Sequence, residues 1–298
     1  MIGLALLILA LGAVAAAPIV AEARRRPADP AEASGSMIDT PFGPTHYQWH
    51  GAEGGPVALC IHGLTTPSCV FDRLVPHLVA QGYRVLTYDL PARGHTPPVE
   101  GDQDPAYFQS QLTGLLLMLG LDEVDLLIGY SMGGSIATSF AAAAPDRVER
   151  LVLLAPAGLY HDPGELTAAL RRIPGGGDWV MRVLGGVILR RGIDGSNPDL
   201  ARRQRAETRK QKYLPAVLSS LRHTLDVRLP DKHRAIAAMG IPVLAIWGEE
   251  DTVIPVSNIG RLAELNRSAE QVALKGAGHG LPDTHADEVA AAIAEFCA

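Results

Sequence analysis

Short apolar runs alternate with longer stretches of helical periodicity over most of the chain. Runs such as Val57–Ile61 and Arg84–Tyr88 are nearly continuous in apolar residues, as strands buried on both faces of a parallel sheet are. One helical stretch ends at Pro145, and helices seldom run through proline. Strands alternating with helices predict an α/β fold, with a mostly parallel central sheet covered by helices on both faces.

The individual elements follow from the same pattern. The predicted strands are Val57–Ile61, Arg84–Tyr88, Leu126–Ile128, Leu151–Leu154, Pro242–Trp247 and Gln271–Leu274. The predicted helices are Cys69–Gln81, Tyr107–Gly120, Met132–Ala144, Val256–Leu265 and a last one that begins at Pro282.

The alternation stops between about Tyr160 and Pro230. Helical pieces in this segment are interrupted by proline and glycine, for example at Gly175-Gly176-Gly177, and no strand pattern occurs in it. The segment therefore predicts a helical insertion, residues 160–230, which we call the lid. It would separate the first part of the core, 37–159, from the second part, 231–298. An insertion of this size is a natural cover for an active site.

The first 21 residues carry no charged side chain, and Arg24-Arg25-Arg26 follow them. About 20 apolar residues cross a bilayer as a helix, and positive flanks tend to stay in the cytoplasm. This pattern predicts a single-pass transmembrane anchor over 1–23, with the rest of the chain on the cytoplasmic side, and a flexible linker over 24–36. A signal peptide cleaved near Ala15-Ala16-Ala17 is the alternative, and would make the protein secreted or periplasmic.

Composition and charge exclude several classes of function. The formal net charge of −6 gives no reason to expect a nucleic-acid partner. The three cysteines lack the spacing of metal ligands, and the chain contains no phosphate loop or dinucleotide fingerprint. We therefore expect no metal and no organic cofactor. The sequence carries no signal for an oligomeric state.

Positive charge is concentrated in the lid. Residues 160–234 contain 15 Lys and Arg against 8 Asp and Glu, and many of the cations lie in Ala201–Lys212. One interpretation is that this basic segment rests on anionic lipid headgroups, which makes a membrane surface an expected partner. The alternative is an exposed helix face whose charges pair with one another.

The candidate chemistry begins at Ser131, which lies within a G-x-S-x-G pattern formed by Gly129 and Gly133. Asp251 follows the strand that ends at Trp247, and His279 follows the last strand. Since ligands of open parallel sheets bind beyond the carboxyl ends of the strands, all three side chains belong to the expected site. Their chain order of Ser, Asp, His is that of hydrolases with this type of turn.

These three residue types suit nucleophilic catalysis. A serine hydroxyl becomes an effective nucleophile when a histidine removes its proton, and a buried carboxylate orients that histidine. The oxyanion formed by attack needs donors already in place. The amide of Met132 is one candidate, and the loop after the first central strand offers the amide of Leu64 as the second. Tyr130, beside the serine, either lines the acyl pocket or only packs.

Five motifs together resemble the α/β-hydrolase fold, in its lipase and esterase branch with a helical lid: CIHG, YDLPARGHT, GYSMGG, WGEEDTVIP and GAGHGLP. The resemblance covers roughly residues 40–298. It implies Ser131 as nucleophile, His279 as base, Asp251 rather than Glu249 or Glu250 as acid, and the amides of Leu64 and Met132 as oxyanion donors.

The expected function is a serine hydrolase that cleaves carboxylic esters through an acyl-enzyme. The predicted anchor, the basic lid and the apolar stretch Trp179–Leu189 favour an acyl lipid such as a monoacylglycerol or lysophospholipid, and resemble membrane-bound monoacylglycerol lipases. Two alternatives remain open. One is hydrolysis of a C–C bond in ring-cleavage products, which family members with a similar SMGG turn perform. The other is a ligand receptor that keeps the three residues but turns over negligibly.

Overall fold

The computed structural model describes residues 2–27, 34–160, 164–173 and 175–298. Its centre is an eight-stranded sheet with the order β1-β2-β4-β3-β5-β6-β7-β8. β1 and β2 pair antiparallel at one edge, and the strands from β4 to β8 are parallel. The strands are β1 Ser36–Thr40, β2 Gly43–His50, β3 Val57–Ile61, β4 Arg84–Tyr88, β5 Val124–Tyr130, β6 Val148–Leu154, β7 Val243–Gly248 and β8 Glu270–Leu274.

Helices flank this sheet and extend from the lid. They are α1 Ile2–Ala23, α2 Val75–Ala80, α3 Pro105–Leu119, α4 Met132–Ala143, α5 Gly164–Arg172, α6 Gly176–Arg191, α7 Pro198–Glu207, α8 Tyr213–His223, α9 Pro230–Met239, α10 Asn258–Leu265, α11 Leu281–Thr284 and α12 Ala286–Cys297.

Both faces of the sheet are buried against helices. On one face, residues such as Phe108 of α3 and Ile136 of α4 pack against the strands. On the other, Leu78 of α2 and Ile293 of α12 do so. The inner strands can therefore be apolar at every position, with β7 buried along its whole length. The predicted α/β fold with a mostly parallel, doubly covered sheet is confirmed.

The six strands that the apolar runs predicted are all present, but β1 and β2 were not predicted. Both lie at the antiparallel edge, where much of each strand is exposed or half-exposed. Such strands mix polar and apolar residues and give no continuous apolar run. One predicted helix also differs: Cys69–Gln81 is a 3₁₀ turn at Ser68–Phe71 followed by α2. Pro76, which has no amide hydrogen, lies in the first turn of α2, where proline is tolerated.

The chain between β6 and α9 forms the helices α5, α6, α7 and α8. Tyr213, Leu214 and Val217 of α8 form a small core with Met181 of α6. Leu64 and Leu225 pack against both this cluster and the main core. The lid thus has its own apolar centre and shares an apolar boundary with the sheet domain. Its boundaries at 160 and 230 remain a prediction.

The predicted membrane anchor, and with it the membrane location, is wrong. Within the described parts of the chain, no helix is both long and apolar enough to cross a membrane. Helix α1 instead contacts the lid: the Trp179 indole donates to Val14 O at 2.8 Å, and Arg25 donates to Arg182 O. Arg26 continues this contact as a parallel bridge to Lys210. Part of the predicted linker, residues 28–33, lies outside the described residues.

The basic segment of the lid makes ion pairs within the protein. Arg203 pairs with Asp72 of the sheet domain at 3.0 Å, Arg202 pairs with Asp199 at 2.8 Å, and Lys210 pairs with Glu207. The first two pairs are exposed, and exposed pairs contribute roughly 1 kcal/mol or less each. These contacts match the alternative of an exposed, internally paired helix face.

Candidate active site

Ser131 occupies a strained turn between β5 and α4. Its backbone has φ 54° and ψ −117°, a region that residues with a side chain rarely adopt. The neighbouring glycines are required by space. A Cβ on Gly133 would lie 2.0 Å from Ile61 O, and one on Gly129 would lie 2.5 Å from Gly133 O. The G-x-S-x-G pattern therefore permits β5 and α4 to meet closely, with the serine held at the point of the turn.

The structure brings Ser131, His279 and Asp251 into one hydrogen-bonded chain. His279 Nε2 lies 2.9 Å from Ser131 Oγ, and His279 Nδ1 lies 2.8 Å from Asp251 Oδ2. The three residues follow β5, β8 and β7, whose carboxyl ends share one edge of the sheet. In this arrangement the imidazole donates from Nδ1 to the carboxylate and accepts the serine hydroxyl at Nε2.

Asp251 is built into its loop. Its side chain is 0% exposed, and its Oδ1 accepts hydrogen bonds from the amides of Val253 and Ile254 at 2.7 and 2.8 Å. Those bonds leave Oδ2 for His279. The neighbouring Glu249 and Glu250 are exposed, and the hydrogen bond of His279 Nδ1 goes to Asp251. Asp251 is thus the carboxylate bound to His279, and its role as the acid remains a prediction.

The two predicted oxyanion donors belong to chain segments next to the serine. Met132 is the first residue of α4, so its amide has no partner inside the helix and lies at the positive end of the helix dipole. Leu64 is in the loop after β3. A Cβ placed on the adjacent Gly63 would lie 3.3 Å from the Ser131 Cβ, which shows how close this loop comes. Their role as donors remains a prediction.

Tyr130 is buried beside the histidine. Its ring centroid lies 5.3 Å from that of His279, and burial raises the pKa of its hydroxyl, which therefore stays protonated. The ring also lies 3.3 Å from the Cβ position of Gly63. Tyr130 consequently forms part of the wall around His279, and a contact with substrate stays a prediction.

Two cavities of about 430 and 1150 Å³ lie beside the lid. The smaller one is lined by residues of α5 and of the end of α8, and the larger one by Arg26, Asp89 and residues of α7. Neither is lined by Ser131, Asp251 or His279. The His279 side chain is 23% exposed, so it marks the side from which solvent reaches the serine.

Two polar residues, His62 and Asp89, hold the loops behind the site. His62 Nδ1 donates to Gly63 O, which belongs to the same peptide unit as the Leu64 amide, and His62 Nε2 accepts from the Leu90 amide, both at 2.8 Å. Asp89 accepts from Ser68 and from the His95 amide. A histidine or aspartate directly after a buried strand is the sequence signal for this role.

We expect the free energy of unfolding to fall as the pH is lowered from about 6.5 to about 4. Burial lowers the pKa of His62 to about 4, and that of His233 to about 4. Below about pH 6.5 the unfolded chain binds protons on these imidazoles, whereas the folded protein keeps them neutral. Their contribution to the free energy of unfolding is therefore fully present above about pH 6.5 and is lost as the pH falls to about 4. Each of the two histidines accounts for a loss of up to about 3 kcal/mol in the free energy of unfolding over this pH range. Urea unfolding at pH 7, 5.5 and 4.5 measures the slope.

His233→Phe is the matched variant for this experiment, since His233 Nε2 has no partner among the described residues. We expect it to remove about half of the slope. His46 acts in the opposite direction. Burial alone would lower the pKa of His46, but the hydrogen bond and charge of Asp89 raise it overall. A stability that stayed constant or rose over this range would contradict the assignment of neutral buried histidines.

The sequence matches one family over most of its length. The model of the alpha/beta hydrolase family matches residues 58–292. The chain belongs to the alpha/beta hydrolase family. This α/β-hydrolase carries the strand, turn and helix around Ser131 inside the matched region. The finer likeness to monoacylglycerol lipases, expected from the predicted anchor, the basic lid and the apolar stretch Trp179–Leu189, is not shown by the comparisons.

Individual relatives of this α/β-hydrolase are distant. It is 28% identical over 269 residues to a 2-hydroxy-6-oxononadienedioate/2-hydroxy-6-oxononatrienedioate hydrolase of Cupriavidus pinatubonensis, covering 82% of this chain and 87% of that protein. The meta-cleavage product hydrolase of Pseudomonas fluorescens IP01 superimposes with a TM-score of 0.69 at 24% identity, covering 88% of this chain and 97% of its own. A thermophilic esterase from Thermogutta terrifontis superimposes with a TM-score of 0.72 at 23% identity, covering 89% of this chain and 98% of the esterase chain. The two structural likenesses support the fold alone.

Proposed function

We propose that this α/β-hydrolase cleaves carboxylic esters through an acyl-enzyme on Ser131. The observation that carries the proposal is the continuous hydrogen-bonded chain from Ser131 Oγ through His279 to the buried Asp251. A serine in a strained turn, with a histidine at 2.9 Å and a carboxylate behind it, is the arrangement of an activated nucleophile.

The chemistry follows from these positions. Ser131 Oγ attacks the ester carbonyl while His279 Nε2 takes the hydroxyl proton, and the amides of Met132 and Leu64 stabilise the negative oxygen. The C–O bond of the ester breaks, and His279 returns the proton to the departing alcohol. Water then attacks the acyl-enzyme with the same histidine as base, which releases the carboxylic acid and restores the serine.

The acyl group is proposed to be apolar. Leu64 and Leu225 lie at the boundary between the main core and the lid core, and Val180 and Leu189 of α6 pack against the lid core. An acyl chain entering beneath the lid would replace water at such side chains, at about 25 cal/mol for each Å² of apolar area removed from water. The more specific proposal is a monoacylglycerol or lysophospholipid ester.

A second candidate reaction is hydrolysis of a C–C bond beside a carbonyl. The observation that favours it is the name of the Cupriavidus relative, a hydrolase of 2-hydroxy-6-oxononadienedioate, together with two further relatives of the same name at 28% and 27% identity. The same three side chains would serve this reaction, with a carbon atom as the leaving group in place of the ester oxygen. Rapid multiple turnover of either substrate type would exclude the receptor alternative.

A substrate panel separates these reactions. We expect kcat/KM for p-nitrophenyl esters from C2 to C16 to rise with chain length by about tenfold per two CH₂ groups, until the apolar region is filled. A 2-hydroxy-6-oxo-dienedioate, followed by loss of its absorbance, serves as the C–C substrate. The concentration of active enzyme is determined by titration with a fluorophosphonate. Initial rates at equal concentrations of active enzyme then measure the preference between the two substrate types.

Each result of the panel assigns the reaction. Activity that increases with chain length supports the ester proposal and leads to monoacylglycerols as the next substrates. Activity restricted to C2–C4 would contradict the apolar acyl group but keep the esterase. A kcat/KM for the dienedioate above that for every ester would replace the leading proposal by the second.

A further inference from the structure

Arg93, in the loop after β4, has a completely buried guanidinium (0% exposed). A buried charge of this kind is costly unless its donors are paired. Here Nε, Nη1 and Nη2 are all used, and every acceptor is an oxygen. The acceptors are Leu64 O at 3.2 Å, Pro91 O at 2.8 Å, Gln103 Oε1, Ser220 Oγ at 2.9 Å and Ala216 O at 3.3 Å.

Three of these acceptors belong to two functional parts of the molecule. Leu64 lies in the loop that is proposed to supply an oxyanion donor, and Ala216 and Ser220 lie on α8 of the lid. One planar, five-donor side chain thus holds both at fixed positions. Lysine could not do so, because its single nitrogen lacks the fork geometry of a guanidinium.

Two lid side chains bind the same loop independently of Arg93. The hydroxyl of Tyr213, on α8, donates to Thr65 O at 2.8 Å, and Gln204 Nε2, on α7, donates to Thr66 Oγ1 at 2.6 Å. Three consecutive residues, Leu64 to Thr66, therefore each accept a hydrogen bond from the lid or from Arg93, which is itself bound to the lid. The position of the loop depends on the lid.

We propose that Arg93 is a positioning residue that couples the lid to the oxyanion site. This inference rests on the proposed function, since it assumes that the Leu64 amide binds the oxyanion. The peptide unit of Gly63 O and Leu64 N is held by His62. Arg93 holds the next peptide unit through Leu64 O, so the two together fix the direction of the Leu64 amide. If the lid moved, α8 would take Ala216 and Ser220 away from Arg93, and the loop that contains Leu64 would lose this support.

The test compares kcat for p-nitrophenyl ester hydrolysis between Arg93→Met and the unchanged protein. Active enzyme is counted by titrating Ser131 with a fluorophosphonate, so that misfolded protein does not enter the value of kcat. An alkyl boronic acid is the second probe, because its tetrahedral adduct with Ser131 places an oxygen in the oxyanion site. We expect kcat to fall about 10- to 100-fold with KM changed less than about threefold, and boronic acid affinity to fall by a similar factor. Arg93→Lys should restore little of either.

Two further variants complete the experiment. Tyr213→Phe removes one hydroxyl from the same loop, and we expect it to lower kcat and boronic acid affinity together, by about three- to tenfold. If Arg93→Met does not fold, Arg93→Lys carries the test, because it keeps the positive charge but lacks the fork that binds Leu64 O and α8 together. Thr224→Val removes a buried bond between the lid and Gln103 O that does not touch the loop. We expect it to lower Tm without changing kcat.

A purely structural role would lower Tm in Arg93→Met and Tyr213→Phe but leave kcat per titrated serine and the affinity for the boronic acid unchanged. That result would overturn the inference. Failure of the proposed function looks different: the unchanged protein would show neither ester turnover nor labelling of Ser131, and the inference would fall with it.

Discussion

Replacing Ser131 by alanine should reduce kcat for p-nitrophenyl ester hydrolysis by about 10⁵- to 10⁶-fold, as loss of the nucleophile does in serine proteases. The physical reason is that no other hydroxyl lies at the apex of the turn within reach of His279 Nε2 in the described structure. Binding should persist, because the walls of the site and the oxyanion donors are unchanged. Stopped assays at high enzyme concentration, with release of p-nitrophenol as the signal, measure the residual rate.

Ser135→Ala is the matched control. Ser135 lies one turn further along α4, is buried, and its Oγ has no hydrogen-bond partner among the described residues. Its replacement should leave kcat within about twofold, since it removes a hydroxyl from the same helix without touching His279. Equal losses in both variants would mean that the turn and helix were disturbed, and would remove the support for Ser131 as nucleophile.

Most of the sheet could be predicted from the sequence because strands β3 to β7 are buried over most of their length, and burial imposes continuous apolar runs. Strands β1 and β2 were not predicted because much of each is exposed or half-exposed, so burial imposes no continuous apolar run on them. The N-terminal segment shows the opposite error. Its apolar composition satisfied the length rule for a membrane span, whereas its contacts with Trp179 and Lys210 depend on the position of the lid, which composition does not encode.

The candidate site shows the same division. Ser131, Asp251 and His279 could be predicted because each follows a strand whose end lies at one edge of the sheet, so their convergence is a consequence of topology. Arg93 could not, although it stands in the quoted motif YDLPARGHT. Its acceptors Leu64 and Ser220 are 29 and 127 positions away in the chain, and only the folded lid brings them to one guanidinium.

Asp251→Asn should lower kcat for the same ester by about 10⁴-fold while the fold is retained, which is the cost of the equivalent change in serine proteases. In the native arrangement Asp251 Oδ2 accepts the Nδ1 hydrogen of His279, and this leaves Nε2 free to take the Ser131 proton. An asparagine amide at that position donates to Nδ1 instead. The imidazole hydrogen then moves to Nε2, which faces Ser131 and can no longer act as a base.

Glu250→Gln provides the control, because it removes one negative charge from the exposed adjacent position and keeps the carboxylate to which His279 Nδ1 is bound. We expect its kcat to stay within about twofold of the unchanged protein. The loss in Asp251→Asn should lie in kcat, and Ser131 should also react with a fluorophosphonate about 10³- to 10⁴-fold more slowly, since that reaction needs the same proton transfer. If Asp251→Asn and Glu250→Gln had equal and small effects, the carboxylate would act only through the local field, and the histidine would depend on another group for its orientation.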